Sequence, residues 1–235
     1  MTDDGKRRWK KPSGPKKNTS GRRVNARKVI AHNAKTESSK KWLERQLADP
    51  YVQKARDAGY RARAAFKLLE IHEKTGMLKK GQRVVDLGCA PGGWLQVLQQ
   101  RGAEHIVGID LLPVEPLLGV HIVQGDVNNK SDVEEILAGL PGRPNLVLSD
   151  MAANTTGHRQ TDHLRTVALV EMAVAFAIEH LEPGGTFCSK VFQGGATAEV
   201  LEALKENFKT VKHIKPPSSR AGSPEIFVVA TGFRP

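Results

Sequence analysis

The run Val84-Val85-Asp86-Leu87-Gly88-Cys89-Ala90-Pro91-Gly92-Gly93-Trp94 decides the fold of this 235-residue chain. Val84 to Leu87 reads as a short buried strand, Gly88 breaks it, and Gly92-Gly93-Trp94 opens a helix. A glycine turn between strand and helix lets the backbone approach a nucleotide-like ligand closely, and Asp86 offers an acceptor to a cationic or hydroxylated one. The spacing Gly88-x-x-x-Gly92-Gly93 is not the dinucleotide fingerprint G-x-G-x-x-G. A nicotinamide reading is therefore disfavoured.

Working outward, the residues after Arg83 alternate short apolar runs with helical segments. Strands are predicted at 83–87, 105–109, 120–124, 145–149, 185–191, 210–215 and 225–232, with helices near 93–101, 131–139, 161–181 and 196–207. This rhythm implies an α/β fold whose mostly parallel sheet is covered by helices on both faces. Only nine residues, Pro216 to Pro224, separate the last two strands, too few for a crossover helix, so they form an antiparallel hairpin. Five parallel strands and a terminal hairpin match the Rossmann-like, seven-stranded S-adenosylmethionine-dependent methyltransferase arrangement, and the glycine spacing fits that cofactor better than a dinucleotide. Before the sheet, Ser38 or Ser39 caps a helix to about Ala48 with Trp42, Leu43 and Leu47 on one stripe, and Asp49-Pro50 starts the next. A further helix from Ala62 to about Lys74, ended near Gly76, carries Phe66, Leu69 and Glu73 on one side and Arg63, Lys67 and Glu70 on a neighbouring face.

Charge divides the chain. Of the net +11, all resides in residues 1–41, which carry 14 Lys/Arg against 3 Asp/Glu; the remainder is neutral. Residues 1–36 are rich in Gly, Pro, Ser, Asn and Lys and too poor in apolar groups to offset their ordering entropy. They read as a basic, disordered extension ahead of one domain spanning 37–235. A polybasic arm on a neutral domain suits a polyanion, because each phosphate contact releases counterions. Two well-separated cysteines, Cys89 and Cys188, suggest reduced thiols in a cytoplasmic protein. The longest apolar run, Val167 to Ile178, is broken by Glu171 and too short to cross a bilayer.

Ligands of an open parallel sheet bind beyond the carboxyl ends of its strands. Asp86, Asp110, Asp126 and Asp150 end the first four strands, and Lys190 stands near the end of the fifth. Asp110 lies about 20 residues past the glycine turn, where an acid grips ribose hydroxyls. Asp126 is placed to read an adenine edge. Glu225 opens the seventh strand, which runs backwards and so begins on the same rim. Lys67 reaches that rim only if its helix packs beside the first strand. A lysine in a central strand between Phe187 and Phe192 is costly unless paired or used. The histidines show no metal-ligand spacing; His158 with Asp162 and His163 comes nearest.

Seven blocks then carry a resemblance: Tyr60 to Leu68, Asp86 to Trp94, Asp110-Leu111-Leu112-Pro113, Gln124-Gly125-Asp126, Asp150 to Asn154, Lys190 to Gly194, and Ser218-Ser219-Arg220 to Glu225. In order and spacing the chain from Ser38 to Pro235 resembles the FtsJ/RrmJ ribose methyltransferases. It is most similar to the bacterial branch that methylates a uridine 2′-hydroxyl in the aminoacyl-tRNA-binding loop of large-subunit (23S) ribosomal RNA. The resemblance implies Lys67, Asp150, Lys190 and Glu225 as the catalytic set and Gly92, Trp94, Asp110, Asp126 and Asp150 as contacts to S-adenosyl-L-methionine. It implies no metal, a monomer, and ribosomal RNA in an assembled or assembling large subunit as partner. A tRNA or mRNA-cap ribose methyltransferase would use the same four residues. Ala153 stands where proline is usual after Met-Ala, and Thr156 where serine is common. Lys190 has two open roles, proton acceptor when neutral or hydroxyl-orienting cation when charged. Arg61, Arg63 and Arg220 are candidate contacts to the RNA backbone.

Overall fold

The computed structural model describes residues 48–153, 156–192, 198–220 and 222–235. The basic extension 1–36, the helix expected from Ser38 or Ser39 with Trp42, Leu43 and Leu47, and Asn154, Gln193 and Gly194 of the resembling blocks lie outside the described residues. The chain divides into two compact units, Met1–Pro50 and Tyr51–Pro235; of the first, only residues 48–50 are described.

Helices α1 (Pro50–Asp57) and α2 (Ala64–Thr75) precede the sheet. There follow β1 (Arg83–Leu87), α3 (Gly93–Gln100), β2 (His105–Asp110), β3 (Val120–Gln124), α4 (Lys130–Ala138), β4 (Leu146–Ser149), α5 (Arg159–His180), β5 (Thr186–Phe192), α6 (Ala198–Asn207), β6 (Phe208–Ile214) and β7 (Glu225–Phe233). The strands are ordered β3-β2-β1-β4-β5-β7-β6. β1 to β5 pair in parallel, while β7 runs antiparallel to both β5 and β6. This is the expected α/β arrangement with its terminal hairpin. α2 ends at Gly76, whose left-handed φ of 66° lets its N–H return to His72 O.

Because side chains alternate along a strand, each strand feeds two cores. Val85, Leu87, Val107, Ile109, Val147 and Phe187 meet α4, α5 and α6 on one face. Val84, Ile106, Leu146, Leu148, Cys188 and Phe227 meet α2 and α3 on the other. The stripe that α2 buries is Ala65, Leu68 and Ile71, not the Phe66-Leu69-Glu73 row. Burying those three side chains is what brings α2 beside β1 and carries its neighbour Lys67 toward the strand ends. Both cysteines are buried, and burial first, then nearby carboxylates, pushes their thiols upward. They are inert as nucleophiles.

Candidate active site

Strand parity places the ionisable residues. Asp86 shares the α2/α3 face with Val84, Lys190 shares it with Cys188, and Glu225 shares it with Phe227. Asp150 continues the row Leu146, Leu148. Register does the rest. Ser189 pairs with Ser149, which sets Lys190 beside Asp150, while Lys190 pairs with Phe227 and Phe192 with Glu225. Glu225 is thus two residues diagonal from Lys190, within reach of long side chains.

Lys67 enters from α2 between the two acids. Its Nζ lies 2.8 Å from Glu225 Oε2 and 3.5 Å from Asp150 Oδ2. The same Nζ stands 5.6 Å above the Phe227 ring. Lys190, only 6% exposed, donates to the Asp150 carbonyl oxygen at 2.8 Å and has Asp150 Oδ1 at 3.1 Å. That second approach is a charge contact without hydrogen-bond alignment, since Asp150 Oδ1 is buried with no hydrogen-bond partner among the described residues. The four residues therefore form a chain, Glu225 to Lys67 to Asp150 to Lys190. Asp150 fixes both lysine tips, whereas Glu225 holds Lys67.

Two supports for this chain carried no role in the sequence. Ser219 Oγ donates to Glu225 Oε1 at 2.7 Å, so both carboxylate oxygens are held. Glu70 accepts the Ser218 N–H at 2.7 Å and Arg63 donates to the Ser218 carbonyl, which fastens the loop before β7 to α2. Arg63, expected at RNA phosphates, is turned inward by that bond.

Beside the chain lies a cavity of about 320 Å³ lined by Gly88, Ala90, Asp110 to Leu112, Gly125 to Asn128, Asp150 to Ala152, Leu169 and Met172. That volume is at the lower end of the range of about 300–1,000 Å³ usual for small-molecule sites. A larger cavity, about 600 Å³ between α4 and α5, shares Val127, Asn128 and Met172 but none of the converging acids. Gly88 has φ 77°, and a Cβ there would fall 2.6 Å from Met151 Cγ and 3.0 Å from its Cα. The absent side chain makes room for the cavity's own wall.

Asp110 spends one bond of each oxygen on the walls, accepting from Ala90 N at 2.8 Å and Leu112 N at 2.9 Å, and keeps a lone pair on each. Asp126, which lines the cavity, takes both Asn128 bonds on Oδ1. Its backbone N–H is held by Asp132 Oδ2 at 2.8 Å. Trp94 and Gly92 are not among the residues that line this cavity. The Trp94 indole is 3% exposed, donates to Ala64 O and packs 5.8 Å from Phe227, so it backs the floor under Lys67 rather than the cavity. Gly92 caps α3 with φ 102° against Arg61. Asp162, expected near His158, instead accepts Thr156 N and Oγ1 and Gly157 N; those bonds hold its carboxyl below the usual range.

Asp86 is 1% exposed, and neither of its oxygens has a hydrogen-bond partner among the described residues. Burial, then the charges of Asp150 and Asp110, push its carboxyl well above the usual carboxylate range. Three acids thus share one region, and Asp150 Oδ1 is left without a hydrogen-bond donor among the described residues. This set suits a cationic ligand that carries hydrogen-bond donors.

The sequence profile of the FtsJ-like methyltransferases matches residues 60–233. The chain belongs to the FtsJ-like methyltransferase family. Among relatives of this FtsJ-like methyltransferase, the Hyphomonas neptunium protein named Ribosomal RNA large subunit methyltransferase E is 70% identical over 234 residues, covering 100% of both chains. A protein of the same name from Novosphingobium aromaticivorans is 58% identical, over 85% of this chain and 90% of its own. A Plasmodium falciparum crystal structure described as a ribosomal RNA methyltransferase superposes with TM-score 0.65 at 32% identity, over 74% of this chain and 98% of that one.

Proposed function

We propose that this FtsJ-like methyltransferase moves a methyl group from S-adenosylmethionine to a uridine ribose 2′-hydroxyl of large-subunit (23S) ribosomal RNA. The observation that carries the reading is the gathering of Lys67, Asp150, Lys190 and Glu225 on one face of the sheet, beside an acidic cavity that Asp150 lines. Full-length identity of 70% to a protein named as a large-subunit ribosomal RNA methyltransferase supports the substrate class. Asp110 would hold ribose hydroxyls, Asp126 the adenine amino edge, and Asp150 Oδ1 a cationic group. The cofactor, when bound, supplies an electrophilic methyl on a sulfonium.

Lys190 is the proton acceptor in this reading. A neutral amine donates one N–H to the Asp150 carbonyl and keeps a lone pair for the ribose hydroxyl. Asp150 holds the amine in place, and Lys67 between Asp150 and Glu225 presents a cation to the ribose or its phosphate. Alignment of oxygen and methyl supplies the larger share of acceleration, about 7–11 kcal/mol for well-oriented reactants, against about 10²–10⁴-fold for a positioned base. The basic segment 1–36 adds sequence-independent affinity for RNA, and residues 37–235 carry the chemistry, in a cytoplasmic monomer acting on an assembled or assembling large subunit. Among the described residues no helix is long and apolar enough to cross a membrane.

The test is methyl transfer to ribosomal RNA by Lys190→Ala, with cofactor binding measured separately. Unchanged cofactor affinity with nearly all turnover lost is expected; wild-type turnover would remove Lys190 from the mechanism. Lys190→Arg, which keeps the cation and cannot accept a proton, stays inactive if Lys190 is the base and recovers partly if it only orients the hydroxyl.

A further inference from the structure

Resting on the reading of the acidic cavity as the S-adenosylmethionine site, we propose that Arg61 is a positioning residue that clamps two walls of that cavity from behind. Its sequence context suggested a phosphate contact, yet its guanidinium is occupied by main-chain carbonyls. Nη1 donates to Glu115 O at 2.6 Å and to Pro91 O at 3.3 Å, and Nη2 donates to Pro116 O at 3.0 Å. Pro91 belongs to the glycine turn whose Ala90 lines the cavity. Glu115 and Pro116 belong to the loop that begins with the cavity residues Leu111 and Leu112. One planar, always-charged fork therefore ties the β1–α3 turn to the segment after β2, a span that a single ammonium cannot reproduce.

The neighbourhood is shaped around that fork. A Cβ built on Gly92 would lie 2.7 Å from Arg61 Nη1 and 3.3 Å from its Cδ. Gly92 is thus bare where the arginine crosses it, a role apart from any contact with cofactor. The backbone of the arginine is fixed as well, since Arg61 N donates to Gln96 Oε1 at 2.8 Å and Gln96 Nε2 donates to Gly59 O at 3.0 Å. The clamp acts on Asp110 through both ends of its grip. Asp110 Oδ2 accepts from Ala90 N, next to Pro91, and Oδ1 accepts from Leu112 N, in the clamped loop. Holding the two loops together therefore presets the carboxylate for its ligand, which lowers the ordering cost of binding.

The experiment compares wild type, Arg61→Lys and Arg61→Met as full-length proteins. S-adenosylmethionine affinity is read by calorimetry, and steady-state constants are read for cofactor and RNA at several salt concentrations. Arg61→Met is expected to bind cofactor about tenfold more weakly, a figure equal to about 1.4 kcal/mol, with Arg61→Lys between it and wild type. Turnover at saturating cofactor, the KM for RNA and its salt slope stay at wild-type values, a split that general destabilisation would not produce. Unchanged cofactor affinity in both variants overturns the clamp. A raised RNA KM with a flattened salt slope also overturns it and makes Arg61 a phosphate contact. If the wild-type protein itself binds no S-adenosylmethionine, the cavity reading falls and takes the clamp with it.

Discussion

Replacing Lys67 by methionine tests whether the four-residue chain is one electrostatic unit. Lys67 is 12% exposed and lies 2.8 Å from Glu225, 14% exposed, and 3.5 Å from Asp150, 17% exposed. Removing one partner of a buried ion pair costs about 3–5 kcal/mol, because the remaining charge is stranded in a poor dielectric. Here Glu225 keeps the Ser219 hydroxyl and Asp150 keeps Lys190, so the loss belongs at the low end, about 3 kcal/mol. For a chain of this size such a loss lowers the thermal midpoint by about 6–12 °C. Lys67→Met combined with Glu225→Gln removes the cation and one of its two anions, and a buried pair exchanged for neutral groups is close to neutral in stability. The double variant therefore regains about 2 kcal/mol relative to additivity. Urea unfolding supplies the free energies, and methyl transfer to ribosomal RNA supplies the activities. Both variants stay inactive, because the cation that faces the ribose is gone. Additive free energies would refute the coupling, and recovered turnover in the double variant would reduce Lys67 to scaffolding.

Ser219→Ala removes the 2.7 Å bond to Glu225 Oε1 and lowers turnover about tenfold at unchanged cofactor KM, with Ser219→Thr restoring part of it; unaltered turnover in the alanine variant would refute the support role. Asp86 yields a stability measurement against pH. Its raised folded carboxyl keeps a proton that the unfolded chain releases above about pH 4. Stability conferred by the neutral acid is therefore full below the unfolded titration and is lost as pH rises toward the folded one, by up to about 1.4 kcal/mol per pH unit. Asp86→Asn abolishes that falling component in ligand-free protein, and an identical slope in both proteins would show that Asp86 titrates normally. Deleting residues 1–36 weakens RNA binding and flattens its salt dependence; an unchanged slope would mean that the segment meets no phosphate.

The sequence by itself determined the elements and the two faces of each strand, because both are local properties. Hydrophobic alternation located every strand to within two residues at each end, and the nine residues from Pro216 to Pro224 were too few for anything but a hairpin. Within a strand, a period of two already put Lys190 opposite in sense to Phe187 and level with Cys188. The acids Asp110, Asp126 and Asp150 were legible for the same reason, since strand ends share one rim in a parallel sheet.

Tertiary structure decided which of those side chains touch. Register across β4, β5 and β7 set Lys190 beside Asp150 and diagonal to Glu225, and register depends on partners far along the chain. Lys67 gained its place from the burial of Ala65, Leu68 and Ile71 rather than from any feature of its own. Charge on the page could not distinguish an arginine facing phosphate from one facing carbonyls, and Arg61 and Arg63 became struts only once loops 54 and 155 residues away folded onto them. Trp94 likewise gained its packing partner only from long-range folding, since Phe227, on the last strand, meets its ring. Local pattern chooses the conformation of each segment. Long-range packing chooses its neighbours, and a site made from distant segments exists only after that second choice.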